Sequence, residues 1–96
     1  MASQSVHHIT GPHCGTHTEG AQLYRAIEPL LNNHEHVELH FDQITVASSS
    51  FFNGLFRPII QDYGKDVLAH QISFEGLTRT QTFILQRTQR LWLSQT

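Results

Sequence analysis

Several side chains near the start of the chain are metal ligands by type: His7, His8, His13, Cys14 and His17. Imidazole and thiolate together suit zinc, and His13, Cys14 and His17 are the tightest set. Their spacing matches no zinc signature and fixes none of them at i and i+4 on a helix face, so a polar, histidine-rich loop is the plainer reading. A second group, His36, Glu38 and His40, alternates with apolar residues, which puts two imidazoles and a carboxylate on one face of a strand. That set resembles an acid/base pair or a ligand group. Alternation alone, however, asks for polar residues there, and no nucleophile accompanies them in sequence. The third group is Ser48, Ser49 and Ser50, three hydroxyls in a row before an apolar segment. A serine in this place satisfies an orphan N–H at a helix N-terminus. A phosphate on one of them would lie at the positive end of the helix and add a charge of about −1.5 to −2. No catalytic set emerges, neither common glycine-rich phosphate loop occurs, and no cofactor is implied.

The elements that must hold these groups follow from periodicity and punctuation. Gly11, Pro12 and Gly15 break up the N-terminal segment, which reads as a short strand near residues 6–9 followed by a loop. Thr16 and Glu19 have the spacing of a capping box. The helix they open carries Leu23, Ile27, Leu30 and Leu31 on one stripe and ends at Asn32 and Asn33, with Pro29 loosening its last turn. Val37, Leu39 and Phe41 then alternate with polar residues as a half-buried strand. The serines start a second helix with paired apolar positions at Phe51 and Phe52, Leu55 and Phe56, and Ile59 and Ile60. These exceed what one helix face can hide; core packing is the first reading, and the second is that one row, Phe52 with Phe56, stays outside as a partner or dimer surface. Pro58 predicts a kink near Gly54, and Gly64 is placed to close the helix in the left-handed conformation. Residues 67–74 read as a strand. Thr78 and Gln81 form another capping box for a helix reaching about Leu93, with Leu77, Ile84 and Leu91 inward, Leu85 and Trp92 beside them, and Arg79, Arg87 and Arg90 outside. Alternation of strands and helices predicts one α/β domain over residues 1–96. Its sheet is parallel or mixed, of about four strands, with three main helices packed on it and residues 1–17 partly loop-like.

Composition narrows the function classes. The chain has 96 residues, 39% hydrophobic and 15% charged, which fits one small globular core better than disorder or a coiled coil. Six Lys+Arg against eight Asp+Glu leave a net charge of −2, and no basic run marks a nucleic-acid partner. No apolar run approaches the ~18 residues of a bilayer span, and residues 1–17 lack the features of a signal peptide. A single Cys without a CxxC partner fits a reducing compartment. The expectation is a cytoplasmic protein with no membrane contact.

The run Val37-Glu38-Leu39-His40-Phe41-Asp42-Gln43-Ile44, followed by Thr45-Val46-Ala47, the three serines and Phe51-Phe52-Asn53-Gly54-Leu55, resembles the strand, loop and helix core of STAS domains (sulphate transporter and anti-sigma factor antagonist). The likeness is greatest to the STAS-like variant of unassigned function and covers residues 19–64. It implies a small bacterial, cytoplasmic, non-enzymatic regulatory module that binds a protein partner, in many cases a kinase-like ATPase. In the antagonists a D-S-[ST]-G segment supplies a phosphorylated serine. Here Ser48 stands in place of the acid, Ser49 and Ser50 match the two hydroxyls, and Phe51 replaces the glycine. The resemblance therefore directs partner binding and phosphorylation to Ser48, Ser49, Ser50, Phe52 and Asn53. Two other readings are a small metal-binding protein or enzyme built on His13, Cys14 and His17, and a subunit whose role is to assemble into a homo-oligomer.

Overall fold

Three short strands carry the central sheet: β1 (Ala2–Ser5), β3 (Val37–His40) and β5 (Ile72–Glu75) lie in the order β1-β3-β5 and all run parallel. The structure is a computed structural model that describes residues 2–94. A second, two-stranded parallel ladder joins β2 (His13–Cys14) to β4 (Val46–Ala47). Five helices complete the described chain: α1 (Val6–Thr10), α2 (His17–Asn32), α3 (Ser49–Tyr63), α4 (Lys65–His70) and α5 (Arg79–Leu93). The expected α/β architecture with parallel strands is present. Its strands divide into a sheet of three and a ladder of two, and two short helices join the three long ones.

Register fixes the two faces of the sheet. Val37 pairs with Ala2 and Ile72, and Leu39 pairs with Gln4 and Phe74, so these side chains share the face turned to the helices. Val37 and Leu39 are wholly buried there. Ser3, Ser5, Glu38, His40, Ser73 and Glu75 occupy the other face, exposed or half-buried. Across it Glu38 accepts from the Ser3 hydroxyl at 3.4 Å and pairs with His40 Nε2 at 2.9 Å, while His36 Nε2 lies 3.1 Å from Ser73 Oγ.

Two expectations move by a few residues. Residues 6–9 are helical rather than extended, because Ser5 caps them by accepting from the His8 N–H at 3.2 Å and Thr10 back-bonds to the Val6 carbonyl at 3.1 Å; the strand lies one step earlier. The first half of the 67–74 stretch is α4. Its one wholly buried residue is Leu68, and Asp66 stands in its first turn where the helix dipole favours an acid. Gly64 separates α3 from α4 with φ +93° and ψ 174°, a region essentially reserved for glycine but not the left-handed helical one. α3 itself runs without a break through Pro58.

Helices α2 and α3 approach closely through glycines. A methyl at Gly20 would overlap the Phe51 carbonyl oxygen and come 2.7 Å from the Leu55 nitrogen, and one at Gly54 would overlap the carbonyl oxygen of His17. Reciprocal hydrogen bonds lock the other ends of the two helices. Tyr24 of α2 donates to Asp62 at 2.6 Å, and Tyr63 of α3 donates to Glu28 at 3.0 Å. Burial, and then these carboxylates, push both phenols above their ordinary pKa, so they stay protonated donors.

The core beneath the sheet is aromatic. Phe41, Phe51, Phe52, Phe56 and Phe74 form one connected cluster with ring centroids 5.1 to 6.3 Å apart. Phe52 and Phe56 are fully buried, which agrees with core packing and corrects both the alternative of an outer row and the placing of Phe52 at a partner contact. Phe52 stacks on Phe56 and meets Phe41 at the end of β3, and Phe56 meets Phe74 of β5, so both sit where α3 lies over the sheet.

Candidate functional site

Ser48 starts α3. Its Oγ accepts from the Phe51 N–H at 3.2 Å and donates to the Gly15 carbonyl at 2.9 Å, and its own N–H donates to the Cys14 carbonyl at 3.0 Å. The β2–β4 ladder leads directly into these bonds, so the tip of α3 is anchored to the loop before α2. Ser48 is thus a cap and a tether. Ser49 and Ser50, one and two residues further, are exposed. Asn53, one turn on, is also exposed and accepts the Trp92 indole N–H at 2.8 Å, which ties α5 beside α3. Phe52 is buried and presents nothing to a partner.

Between α3 and α5 lies a groove of about 530 Å³ lined by Ser49 and Asn53 on one side and by Phe83, Arg87 and Leu91 on the other, with Thr88 among its walls. Phe83 is 66% exposed and Leu91 59%. The chain has six phenylalanines, and Phe83 is the one outside the aromatic core. The inward expectation for Leu91 is therefore corrected. The buried positions of α5 are Gln81, Leu85 and Thr88, a row rotated from Leu77, Ile84 and Leu91. Two of its three members are polar but satisfied: Gln81 donates to the Ile44 carbonyl at 3.0 Å and accepts from the Thr78 N–H at 3.0 Å, and Thr88 donates to the Ile84 carbonyl at 2.8 Å. Apolar periodicity does not register such residues, so the apolar pattern points to a different face of α5 from the one that is buried and gives no signal for Phe83.

The N-terminal ligand set is not assembled. Cys14 is buried, with its sulfur 3.2 Å from the Thr10 hydroxyl, and burial pushes its thiol above the ordinary pKa, away from the thiolate that binds metal. His13 and His17 are exposed. Among the described residues no three His, Cys, Asp or Glu side chains converge as a metal site would require. His36, Glu38 and His40 stay on the open sheet face, outside the groove.

The start of α2 borders the same region. Thr16 donates to Glu19 twice over: its N–H meets Oε1 at 2.8 Å and its hydroxyl lies 2.9 Å from each carboxylate oxygen. The hydrogen bond from the Thr16 backbone, then that from its hydroxyl, holds the Glu19 carboxyl below its ordinary pKa. A lowered folded value means that this cap contributes stability above the unfolded carboxylate pKa and loses it as pH falls through the folded value. A carbon-detected NMR titration is expected to place the Glu19 midpoint below the reference of about 4.3. A midpoint at or above that reference would contradict the cap geometry.

The family profile of a STAS-like domain of unknown function matches residues 19–82. The chain belongs to that family. The matched stretch of this STAS-like chain runs from the first turn of α2 through α3 and β5 into the first turn of α5, and so contains the α3 tip but ends just before Phe83. Comparison with curated proteins and with solved structures gives no match. Among the described residues, no helix of the STAS-like chain is long and apolar enough to cross a membrane.

Proposed function

We propose that this chain is a cytoplasmic, non-enzymatic regulatory module that binds a partner protein, a kinase-like ATPase, through the N-terminus of α3 and the groove beside it. The observation that carries this reading is that Ser49 stands exposed at the tip of α3 on the rim of a groove with two bare apolar side chains, Phe83 and Leu91. Exposed apolar surface rimmed by polar residues is a mark of protein interfaces. A phosphate on Ser49 would be tolerated by the helix dipole, yet would fill the entrance to the groove with about −1.5 to −2 units of charge and a bulky group. Phosphorylation therefore opposes docking, and the switch costs the fold little because Ser48, not Ser49, is the cap.

The test is a binding titration. The immobilised chain captures its partner from cells, and the partner is identified, purified and titrated against variants. The partner is expected to carry an ATP-binding kinase-like domain, and Ser49→Asp is expected to weaken its binding at least about tenfold, the effect of misplacing one charge at a desolvated contact, while Ser49→Ala stays near wild type. A partner without such a domain, or equal binding of Ser49→Asp and Ser49→Ala, would overturn the reading.

A further inference from the structure

We infer that the groove between α3 and α5 takes an acidic amphipathic helix of the partner, an inference that rests on the protein-binding reading of this site and specifies its ligand. Charge distribution supplies the first reason. The segment Arg79–Leu93 holds three of the chain's six Lys and Arg residues and no Asp or Glu; Arg87 is the one that lines the groove, while Arg90 lines a separate hollow with Gln86, Gln89 and Leu93. Arg87 lines the groove beside Phe83 and Leu91, and where the groove continues past Leu91 it meets Arg57 of α3 and His17. No carboxylate lines either stretch. Among the described residues the one carboxylate contact of salt-bridge length is that of Glu38 with His40, so none of these guanidiniums lies against a carboxylate of the described chain. The N-terminal end of α3 adds its partial positive charge to the same rim. In a chain of net charge −2 this is a local positive strip, complementary to carboxylates.

Shape supplies the second reason. Phe83 and Leu91 are eight residues apart on one helix, or about 12 Å at 1.5 Å per residue. A partner helix spans that distance with apolar side chains at i, i+4 and i+8, lying between α3 and α5 as a third helix while its acidic flanks meet Arg87 and Arg57. A phosphate backbone or an anionic lipid surface is disfavoured, because it would meet eight carboxylates against six cations over the chain as a whole.

The experiment is a selection from a random 16-residue peptide library against the full chain, after removal of peptides that bind a Phe83→Ser/Leu91→Ser chain. Both substituted side chains are exposed, and a thermal melt checks that the variant is folded. The enriched sequences are expected to carry apolar residues at helical spacing and an excess of Asp and Glu. The best of them, synthesised, should bind the Phe83→Ser chain at least about tenfold more weakly than wild type. It should also lose affinity with Arg87→Glu and with rising salt. A neutral or basic consensus, no enrichment over the double variant, or tighter binding of phosphatidylglycerol vesicles or a fifteen-nucleotide oligothymidine through the same residues would overturn the inference. The two readings fail separately: a basic consensus leaves the Ser49 switch standing, whereas an acidic consensus with no Ser49→Asp effect on the ATPase removes the switch alone.

Discussion

Replacing Phe52 by alanine is expected to destabilise the fold by about 3 to 5 kcal/mol, whereas the same truncation at Phe83 should change stability by no more than about 0.5 kcal/mol. The two residues are chemically identical and both lie on long helices, so the contrast isolates their surroundings. Phe52 is fully buried and packs on three other rings, Phe41, Phe51 and Phe56. Truncation removes its transfer free energy and leaves a cavity that these aromatic neighbours, held by both α3 and the sheet, collapse into only in part. Phe83 is 66% exposed, and its loss makes no cavity. For a domain of this size each kcal/mol corresponds to roughly 4 to 8 °C in Tm, so the Phe52 variant should melt about 20 °C lower. Urea unfolding provides the free energies. Equal losses at the two positions would contradict the separation between a buried aromatic cluster and a free aromatic surface.

Substituting alanine at Gly20 is the second change with a large effect, about 3 kcal/mol of destabilisation even though alanine is the better helix former by about 1 kcal/mol. The methyl meets backbone, the Phe51 carbonyl oxygen and the Leu55 nitrogen, so no rotamer change relieves the clash and α2 must move away from α3. Gly54→Ala presses on the same contact from the opposite helix, against the carbonyl of His17. Once the helices have been parted by one methyl the second has more room, so the double variant should cost less than the two single losses together. Strict additivity in a double-mutant cycle would show that the two glycines do not share one contact. Because the tip of α3 is tethered to the loop that leads into α2, the same displacement shifts Ser49 relative to Phe83, and on the proposed reading of the groove binding is expected to fall along with stability.

The features legible in the sequence were those with local causes. Thr16 with Glu19, Ser48, and Thr78 with Gln81 each start a helix where side-chain chemistry places them, and the alternation of Val37 and Leu39 puts a strand at the centre of a parallel sheet. The features that were hidden depend on tertiary partners. Gln81 is buried where the distant Ile44 carbonyl receives its amide, and Thr88 satisfies its hydroxyl on its own helix, so a partly polar row faces inward while Phe83 and Leu91 face outward. The paired phenylalanines of α3 looked too numerous to hide. They are hidden because the sheet end and β5 contribute Phe41 and Phe74 to receive them. The α3 tip was thus readable from its serines alone, while the opposite wall of the groove became visible once α5 was in place.

Amide hydrogen exchange of the chain, alone and saturated with the purified protein captured as its proposed partner, tests the location of the proposed docking site most directly. Residues 48–53 and 83–91 are expected to exchange more slowly in the complex, with the open face of the sheet unchanged. Slowed exchange confined to residues 37–40 and 72–75, with the walls of the groove unaffected, would place the partner on the sheet and contradict the account.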